Sequence, residues 1–311
     1  MSSPLLSLPD AVEADGIDAG VAAHYGSFIT EQRNLVAGRG FVDLSHRGVV
    51  RVEGADRLSW LHSLTTQYFE GLEPGVWTTA LVLSPQGHVE HAMRGYDDGT
   101  AFVAHVEPGG APALVSWLDR MRFMMRVEVS DETESLAVVH RAGAGEQLIE
   151  RASLQSYAAS VGHPAGVWAH EALRIADCTP RLGLDTDQRT IPNEVGWIGS
   201  AVHLAKGCYR GQETVARVHT LGRPPRRLVL LHLDGSVDHL PAHGSGVLLD
   251  GRSVGFVGSA ARHYELGPIA LALVKRNVDI AAPLVADGVA AAQEVVVDPE
   301  AGLHVRARLT S

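Results

Sequence analysis

The sequence KGCYRGQETVAR, from Lys206 to Arg217, contains one of the two cysteines of the chain and surrounds it with charged and small residues. Cys208 lies between Lys206 and Arg210, and the pattern that follows predicts a helix beginning at Gln212. Positive neighbours and a helix N-terminus both stabilise a thiolate, so these residues favour a reactive cysteine. Free cysteine is also a common small core residue, and the residues alone leave both interpretations of Cys208 open.

The backbone of this stretch has a second chemical feature. Gly207 and Gly211 permit positive φ angles, and a loop of that kind exposes N–H groups that favour anion binding. We therefore expect a loop with glycines in the left-handed region that leads directly into a helix.

The bulk composition bounds the kind of protein. The chain has 311 residues, of which 45% are hydrophobic and 20% charged, and a net charge of −10, which is typical of an ordered globular protein and not of a nucleic-acid-binding one. Two cysteines, Cys178 and Cys208, are too few for a disulfide framework. Because no stretch approaches ~20 uninterrupted apolar residues and the N-terminus lacks a signal-peptide pattern, the sequence predicts a reduced, cytoplasmic protein without a membrane partner.

The first two thirds of the chain are predicted to be α+β. Residues 1–20 are expected to form a flexible lead-in, and residues 22–36 a short helix. The part at about 48–140 has the predicted order strand, helix, three strands, helix, strands, which is typical of a mostly antiparallel sheet with helices on one face. Helices are also expected near 166–176 and 212–218.

The last third, residues 226–311, begins within a predicted domain boundary at Arg223-Pro224-Pro225-Arg226-Arg227 and contains short strands separated by many turns. Asp250-Gly251 is a signal for a tight hairpin. The last strands are expected at 294–297 and 303–309, and the whole region is predicted to be a small antiparallel barrel or sandwich.

Two motifs are rejected on their local structure. Residues 251–255 match the GxSxG pattern of hydrolases, but that serine must stand on a strand–turn–helix corner, and here the motif lies on a predicted hairpin. His88 and His91 are three residues apart on a predicted strand, which turns their rings to opposite faces. No dedicated metal site is expected from the sequence.

The segment from Lys206 to Glu213 resembles the K-G-C-Y-x-G-Q-E signature of the folate-binding YgfZ branch of the aminomethyltransferase family, relatives of the glycine-cleavage T-protein. Residues 42–61 are similar to the opening D-x-S…V-x-G-x-D…F-L run of that family, and residues 174–194 to the folate-proximal segment before the signature. The resemblance covers roughly residues 35–310. Members of this branch help to assemble or maintain iron–sulfur clusters.

The resemblance implies an α+β, three-domain, T-protein-like cloverleaf around a central channel, with two intertwined folate-binding domains over residues 21–225 and a small antiparallel β-barrel over 226–311. It implies tetrahydrofolate or a one-carbon derivative as the ligand. It also implies iron–sulfur proteins or their assembly factors as partners.

The sequence departs from the catalytic T-protein pattern at two places. The G-G-x-x-D-D stretch is replaced by residues 86–91, where Glu90 and His91 stand in the place of the aspartates, which disfavours aminomethyl transfer. The R-L-E-A-G stretch is replaced by residues 174–178, where Asp177 stands one position from the expected glutamate. Glu194 is then the safer candidate for the pterin, because a carboxylate accepts the donors of an amidine-like edge; a plain surface acid is the alternative for this residue.

The candidate site residues fall into two sets. Cys208 is expected to be a reactive thiol that Lys206, Tyr209 and Arg210 tune or shield. The residues expected on the cofactor side are Glu194, Asp177, His91, Gln212, Glu213 and Arg223. Arg223 belongs to a basic group with Arg217, Arg226 and Arg227 that suits the glutamate tail of folate, unless the group is only a solvated linker.

Three functions are compatible with these residues. The first is a tetrahydrofolate-binding accessory protein that supports iron–sulfur enzymes. The second is a folate-dependent aminomethyltransferase or demethylase that uses the same pocket. The third is a thiol-based interaction module in which the pocket has lost its ligand.

Overall fold

The structure is a computed structural model that describes residues 2–303. The strands, in chain order, are β1 (Ala11–Glu13), β2 (Ala22–Tyr25), β3 (Phe41–Asp43), β4 (Gly48–Glu53), β5 (Thr78–Leu83), β6 (Val89–Asp97), β7 (Ala101–Val106), β8 (Glu128–Asp131), β9 (Leu136–Arg141), β10 (Gly145–Glu150), β11 (Pro164–Ala165), β12 (Arg226–Leu233), β13 (Gly246–Leu249), β14 (Arg252–His263), β15 (Gly267–Lys275), β16 (Leu284–Ala286) and β17 (Val289–Val295). The α-helices are α1 (Phe28–Val36), α2 (Arg57–Leu64), α3 (Ala111–Arg120), α4 (Leu154–Val161), α5 (Val167–Ala176) and α6 (Gln212–Leu221). Short 3₁₀ turns lie at Pro4–Ser7, Gly16–Asp18, Arg151–Ser153 and Pro192–Glu194.

A five-stranded antiparallel sheet with the order β5-β6-β7-β4-β8 forms the middle of the N-terminal two thirds. Its core is built with α2 and α3, whose Trp60, Leu61 and Leu114 pack on apolar side chains of the strands such as Phe102. Pro112 stands in the first turn of α3, where its missing N–H has no partner to lose. The predicted antiparallel sheet with helices on one face is confirmed for β4 to β8, whereas the strand predicted near 136–140 is β9 and belongs to a second sheet.

A second sheet has the order β10-β9-β3-β11. Its strands come from segments that precede and follow the five-stranded sheet along the chain. β3 precedes the five-stranded sheet along the chain, yet it pairs with β9, which follows it. β11 pairs with β3 in parallel. The segments that build the two sheets are therefore intertwined in sequence. Helix α5 lies close to β2, β3 and the barrel strand β14.

A closed antiparallel barrel with the order β12-β15-β14-β13-β16-β17 follows. Its first hairpin signal is confirmed, because Asp250 (φ 50°) and Gly251 (φ 74°) both take positive φ between β13 and β14, as a tight hairpin with right-handed strand twist requires. The predicted strand at 294–297 is instead the end of β17, which stops at Val295. The strand expected at 303–309 lies outside the described residues except for Leu303.

One apolar core joins the three parts of the molecule. It combines Leu81 of the five-stranded sheet, Ile175 of α5, Tyr209 of the signature segment and barrel residues such as Leu228 and Leu271. Within residues 2–303, no helix is both long and apolar enough to cross a membrane.

Two local predictions are wrong. Residues 2–20 are not a loose lead-in: β1 pairs with β2, and Leu5 is buried in a cluster with Phe41. Residues 22–36 are not one helix, because Gly26 (φ 104°) ends β2, and the side chain of Ser27 then accepts a hydrogen bond from the Thr30 N–H to start α1.

Candidate functional site

A cavity of about 560 Å³ lies where the two sheets of the N-terminal part meet α5. Strands β6 and β7 form one side, β9 and β10 another, and α5 with the segment that follows it closes the third. His170, Arg174 and Asp177 all line it, since residues spaced three and four apart share one face of a helix. Trp197, a buried residue of the apolar core that joins the three parts, also lines the cavity.

One wall of the cavity carries two arginines whose positive charges are fully paired with carboxylates. Arg174 and Arg181 are surrounded by four carboxylates, at distances of 2.6–3.0 Å: Asp18, Glu107, Glu171 and Asp185. Burial alone would raise the pKa of Glu171, but the adjacent arginines overcome this and lower it to about 2. This wall is a structural ion network with a surplus of negative charge.

The opposite wall is built differently around a single carboxylate, Glu146 of β10. Arg94 donates from Nε to Glu146, Arg47 Nη1 lies 3.5 Å from it, and His105 Nε2 lies 3.2 Å from it. Burial would raise the pKa of Glu146, yet its contact with His105 and the charges of Arg47 and Arg94 hold that pKa far below its usual range. Glu146 is thus ionised and shared by three partners.

Two histidines lie next to this second wall. The rings of His140 and His170 are 5.1 Å apart. Burial lowers the pKa of both, and that of His170 reaches about 3 because His140 and Arg47 add to the effect. Both rings are therefore neutral at pH 7. Within residues 2–303, no group of three or more His, Cys, Asp or Glu side chains is arranged to hold a metal ion.

Asp177 is the cavity residue with a free carboxylate. It caps the end of α5, where its N–H donates to the carbonyls of Leu173 and Ile175, and Cys178 (φ 55°) then turns the chain away. Its side chain is exposed to the cavity and makes no hydrogen bond or ion pair with any described residue. Asp177 is the one predicted cofactor residue that lines the cavity.

The signature segment lies outside the cavity, and Lys206 holds it in place. The Lys206 ammonium donates to the carbonyls of His62 and Thr65 at the end of α2, and it also lies 5.1 Å from the centre of the Tyr209 ring. The side chain is buried, with 5% of the residue exposed, and burial lowers the pKa of Lys206 to about 8. The Lys206 ammonium is therefore engaged with backbone carbonyls at the end of α2.

Tyr209 and Arg210 are also engaged. Tyr209 is packed in the apolar core that joins the three parts, and burial raises the pKa of its phenol to about 12. Arg210 Nη1 donates to Glu90 at 2.9 Å. Cys208, between them, is an exposed free thiol, whereas Cys178 is half-buried.

The start of α6 packs tightly on the turn between β5 and β6. Gly211 has a φ of 80°, and an added Cβ would lie 2.5 Å from the Ser84 carbonyl oxygen. Gly207 is not in the positive-φ region, so that expectation is wrong for Gly207 and confirmed for Gly211. Gln212 begins α6 as predicted, and neither it nor Glu213 lines the cavity.

Glu194 is fully buried, but it does not face the cavity. Arg226 donates from Nε and Nη2 to its two oxygens at 2.8 and 2.9 Å, and the Ile191 N–H donates to it as well. Arg226 also pairs with Asp187 at 2.6 Å. Glu194 therefore ties the 3₁₀ turn at Pro192–Glu194 to the first barrel strand.

The basic group expected at the linker is divided by the fold. Arg226 is ion-paired, and Arg227 points into the barrel, where it is 0% exposed and donates to Gln293. Strand alternation explains the burial of Arg227, because β12 begins at Arg226 and successive side chains point to opposite faces. Arg223 remains exposed near Glu300. The prediction of a common basic patch is wrong.

His91 lies on the face of β6 turned away from the cavity. Its ring is 6.5 Å from that of Trp117 on α3, and burial lowers its pKa. Residues 92–94 of the same strand do line the cavity.

Most of the polar cavity wall is not identified from the sequence. Arg47, His105, His140, Glu146 and His170 line it, and none is a candidate in the sequence. For His105 the signal is a single polar residue in an otherwise apolar strand, because it interrupts the run AFVAHV. Arg47 directly precedes the strand that begins at Gly48. Glu146 lies on β10, for which no strand is predicted.

Comparisons with known proteins place this geometry in context. Residues 226–311 match the family model of the glycine cleavage T-protein C-terminal barrel domain. The chain is 26% identical to a putative chloroplastic transferase of Arabidopsis thaliana, over 73% of this chain and 64% of the relative. It is 31% identical to an aminomethyltransferase of Geobacillus kaustophilus, over 57% of this chain and 45% of the relative.

A third relative carries a different function in its name. The chain is 25% identical to the mitochondrial iron–sulfur cluster assembly factor IBA57 homolog of Mycosarcoma maydis, over 60% of this chain and 55% of the relative. The chain thus spans between 45% and 64% of the length of these three curated relatives.

A solved structure covers nearly the whole chain. The crystal structure of the glycine cleavage system aminomethyltransferase T from Bartonella henselae superposes with a TM-score of 0.80 at 15% identity, covering 96% of this chain and 97% of that one. The predicted T-protein-like cloverleaf with a C-terminal barrel is confirmed. The chain has the fold of the glycine cleavage T-protein, and its last 86 residues match that protein's barrel domain.

Proposed function

We propose that this chain is a tetrahydrofolate-binding protein of the YgfZ branch that supports iron–sulfur cluster assembly or repair in the cytoplasm. The observation that carries the folate part is the free carboxylate of Asp177 on the wall of a 560 Å³ cavity in a T-protein fold. A pterin presents an amidine-like edge of donors, and a carboxylate accepts such an edge through two hydrogen bonds. Asp177 is available for this contact, whereas Arg226 already occupies both oxygens of Glu194.

The iron–sulfur part rests on the exposed thiol and on the relative named as a cluster assembly factor. Cys208 lies outside the cavity, on a loop that Lys206 and Tyr209 fix to the rest of the molecule. A partner protein can reach a thiol in that position. One cysteine supplies one of the usual four thiolate ligands of a cluster, so a contact with a cluster would be shared with another chain.

A folate-dependent aminomethyltransferase or demethylase is the second candidate. It is favoured by the similarity of this chain to a protein named aminomethyltransferase. The two residues of β6 that replace the T-protein aspartates favour this second function less than the first. Glu90 is paired with Arg210, and His91 packs beside Trp117, so neither residue that replaces the T-protein aspartates lines the cavity. Turnover of a methylamine donor in the presence of tetrahydrofolate would favour this second function over the first.

Anaerobic titration calorimetry of the reduced protein with tetrahydrofolate tests the folate part. We expect micromolar or tighter binding that Asp177→Asn weakens roughly tenfold or more, because a charge-assisted pair becomes a neutral contact. Asp250→Asn is the matched control, since Asp250 is an exposed aspartate on the barrel hairpin. Absence of binding by the unmodified protein would contradict the proposal.

The thiol part is tested separately. We expect Cys208→Ala to retain folate binding in the same titration but to lose support of iron–sulfur enzyme activity in cells depleted of the wild-type chain. Cys178→Ala serves as the control, because Cys178 is half-buried and its thiol pKa is raised by burial. Equal activity of both variants would exclude a role for the Cys208 thiol.

A further inference from the structure

The cavity has two ends of opposite character, and α5 gives the distance between them. His170 lies beside His140 at one end, and Asp177 stands at the other, seven residues along the helix. At 1.5 Å rise per residue this separation is about 10 Å. We refer to the end formed by Arg47, Arg94, His105 and Glu146 as the basic end, and to the end at Asp177 as the acidic end.

The basic end has more donors than acceptors. Two guanidinium groups face one carboxylate there, which leaves a formal charge of +1 when the histidines are neutral. At the arginine network near the acidic end, by contrast, two guanidinium groups face four carboxylates. A cavity polarised in this way orients a ligand that carries a negative charge at one end.

One buried donor at the basic end has no acceptor among the described residues, and a buried ring nitrogen beside it is poorly aligned with its only partner. Arg47 is 6% exposed, and its Nε makes no hydrogen bond. His105 is 5% exposed, and its Nε2 lies 3.2 Å from Glu146 without the alignment that a hydrogen bond needs. An unsatisfied buried donor is costly, and native proteins rarely keep one without a use for it.

Arg94 connects these buried groups to the open part of the cavity. Its side chain is 46% exposed, its Nη1 donates to the Thr79 hydroxyl at 3.2 Å, and its guanidinium lies 5.8 Å from the Trp77 ring. Thr79 and Trp77 therefore hold the guanidinium plane in place beside Glu146. A planar guanidinium held in this way matches the geometry of a carboxylate.

We propose that the basic end is a subsite for the carboxylate of a ligand, bound by Arg47, Arg94 and His105 with Glu146 as the internal counter-ion. This proposal extends the proposed folate function, because the same ligand would place its donor edge at Asp177. The carboxylate comes either from the glutamate part of the folate or from a separate small carboxylic acid bound next to the pterin. Glu146 competes with it for the same donors, so removal of the Glu146 charge strengthens binding.

The experiment compares three probes by anaerobic calorimetry: tetrahydrofolate, tetrahydropteroate, which lacks the glutamate, and glutarate alone. The variants are Arg94→Gln and Glu146→Gln, with Arg126→Gln as control because Arg126 is exposed and lies outside the cavity. Arg94 is half-exposed, so its substitution is compatible with folding. Histidine ring NMR of His105 reports direct contact, with exposed His239 as reference.

Two results support the subsite. In the first, Arg94→Gln weakens tetrahydrofolate roughly tenfold or more and leaves tetrahydropteroate within about twofold, which identifies the folate's own carboxylate. In the second, glutarate binds the unmodified protein and shifts the His105 resonances, Arg94→Gln abolishes this binding, and Glu146→Gln strengthens it. The second result identifies a separate carboxylate.

If neither result is obtained, the subsite is wrong. Failure of the subsite and failure of the folate function remain distinguishable. Binding of tetrahydrofolate that is insensitive to Arg94→Gln, without glutarate binding, overturns the subsite alone. Glutarate binding that depends on Arg94, without any folate binding, overturns the folate function and keeps the subsite.

Discussion

The signature loop and the basic end of the cavity use the same residue types in opposite ways. In the loop, Lys206 donates to two backbone carbonyls and Arg210 is paired with Glu90. At the basic end, Arg47 retains a buried donor without an acceptor, and His105 Nε2 is poorly aligned with Glu146. The difference teaches that a conspicuous sequence motif here is largely a structural clamp around one exposed thiol, while the capacity to bind a charged ligand lies in residues that no motif marks.

The physical reason is the location of each cation. A lysine at the end of a helix finds free carbonyls, because the last four of them have no partner within the helix. An arginine on a strand that faces a cavity finds an acceptor only if another element supplies one. Glu146 supplies one carboxylate for two arginines, and the remaining donors are left for a ligand.

The largest expected effect on the free energy of unfolding is at Glu194, whose carboxylate has a structural role like the cations of the signature loop. Glu194→Ala leaves Arg226 without its bidentate partner and removes an acceptor of the Ile191 N–H. Breaking a buried pair on one side costs about 3–5 kcal/mol. Urea unfolding should show a loss of about 3 kcal/mol, since Arg226 keeps Asp187 as a partner.

The matched control for this substitution is Glu213→Ala, at an exposed site, with an expected change within about 0.5 kcal/mol. Folate affinity of folded Glu194→Ala should equal that of the unmodified protein. If Glu194→Ala lowered the folate affinity as strongly as Asp177→Asn, Glu194 would be a ligand contact and its assignment as a structural residue would be wrong.

The next effect is a pH dependence on the cavity side, at His170. Its pKa falls to about 3 in the folded chain, because burial and the nearby His140 and Arg47 disfavour the charged ring, against ~6.5 when unfolded. As the pH falls below 6.5, the unfolded chain binds this proton and the folded chain does not, so stability present above pH 6.5 is lost toward pH 3. Between pH 6.5 and 4, this histidine should cost about 3 kcal/mol.

Urea unfolding of the unmodified protein and of His170→Gln across this pH range measures the effect as the difference between the two slopes. Exposed His239→Gln is the control and should keep the slope of the unmodified protein. Identical slopes for the His170 variant and the unmodified protein would mean that the His170 ring is solvated, and that this end of the cavity is not the desolvated wall described above.

The smallest of the three effects separates the two glycines of the signature. Gly211→Ala introduces a Cβ at a φ of 80° and 2.5 Å from the Ser84 carbonyl, so we expect a loss of about 2 kcal/mol. Gly207→Ala meets nothing within 4 Å at an ordinary φ and should change the stability by less than about 0.5 kcal/mol. Thermal unfolding of the pair measures both. Equal effects would show that the loop does not dock on the β5–β6 turn.

Local sequence patterns predict the elements that depend on local interactions. The Asp250-Gly251 hairpin, the start of α6 at Gln212 and the position of α5 follow from turn chemistry and periodicity, and the structure contains all three. β10 is missed, because its sequence GEQLIE has no clear alternation, and it is a strand only through its pairing with β9. Among the residues expected on the cofactor side, Asp177 lines the cavity, and its role there stays a prediction.

By itself, the sequence determined the fold class and the C-terminal barrel, since these depend on patterns within short segments. Only the tertiary structure decided which charges are used. Glu194 meets Arg226 across 32 positions and Lys206 meets the end of α2 across more than 140, whereas Arg47 and His105 meet too few acceptors. The reason is that a side chain's chemistry is set by the partners that the fold brings to it, and those partners come from distant parts of the chain.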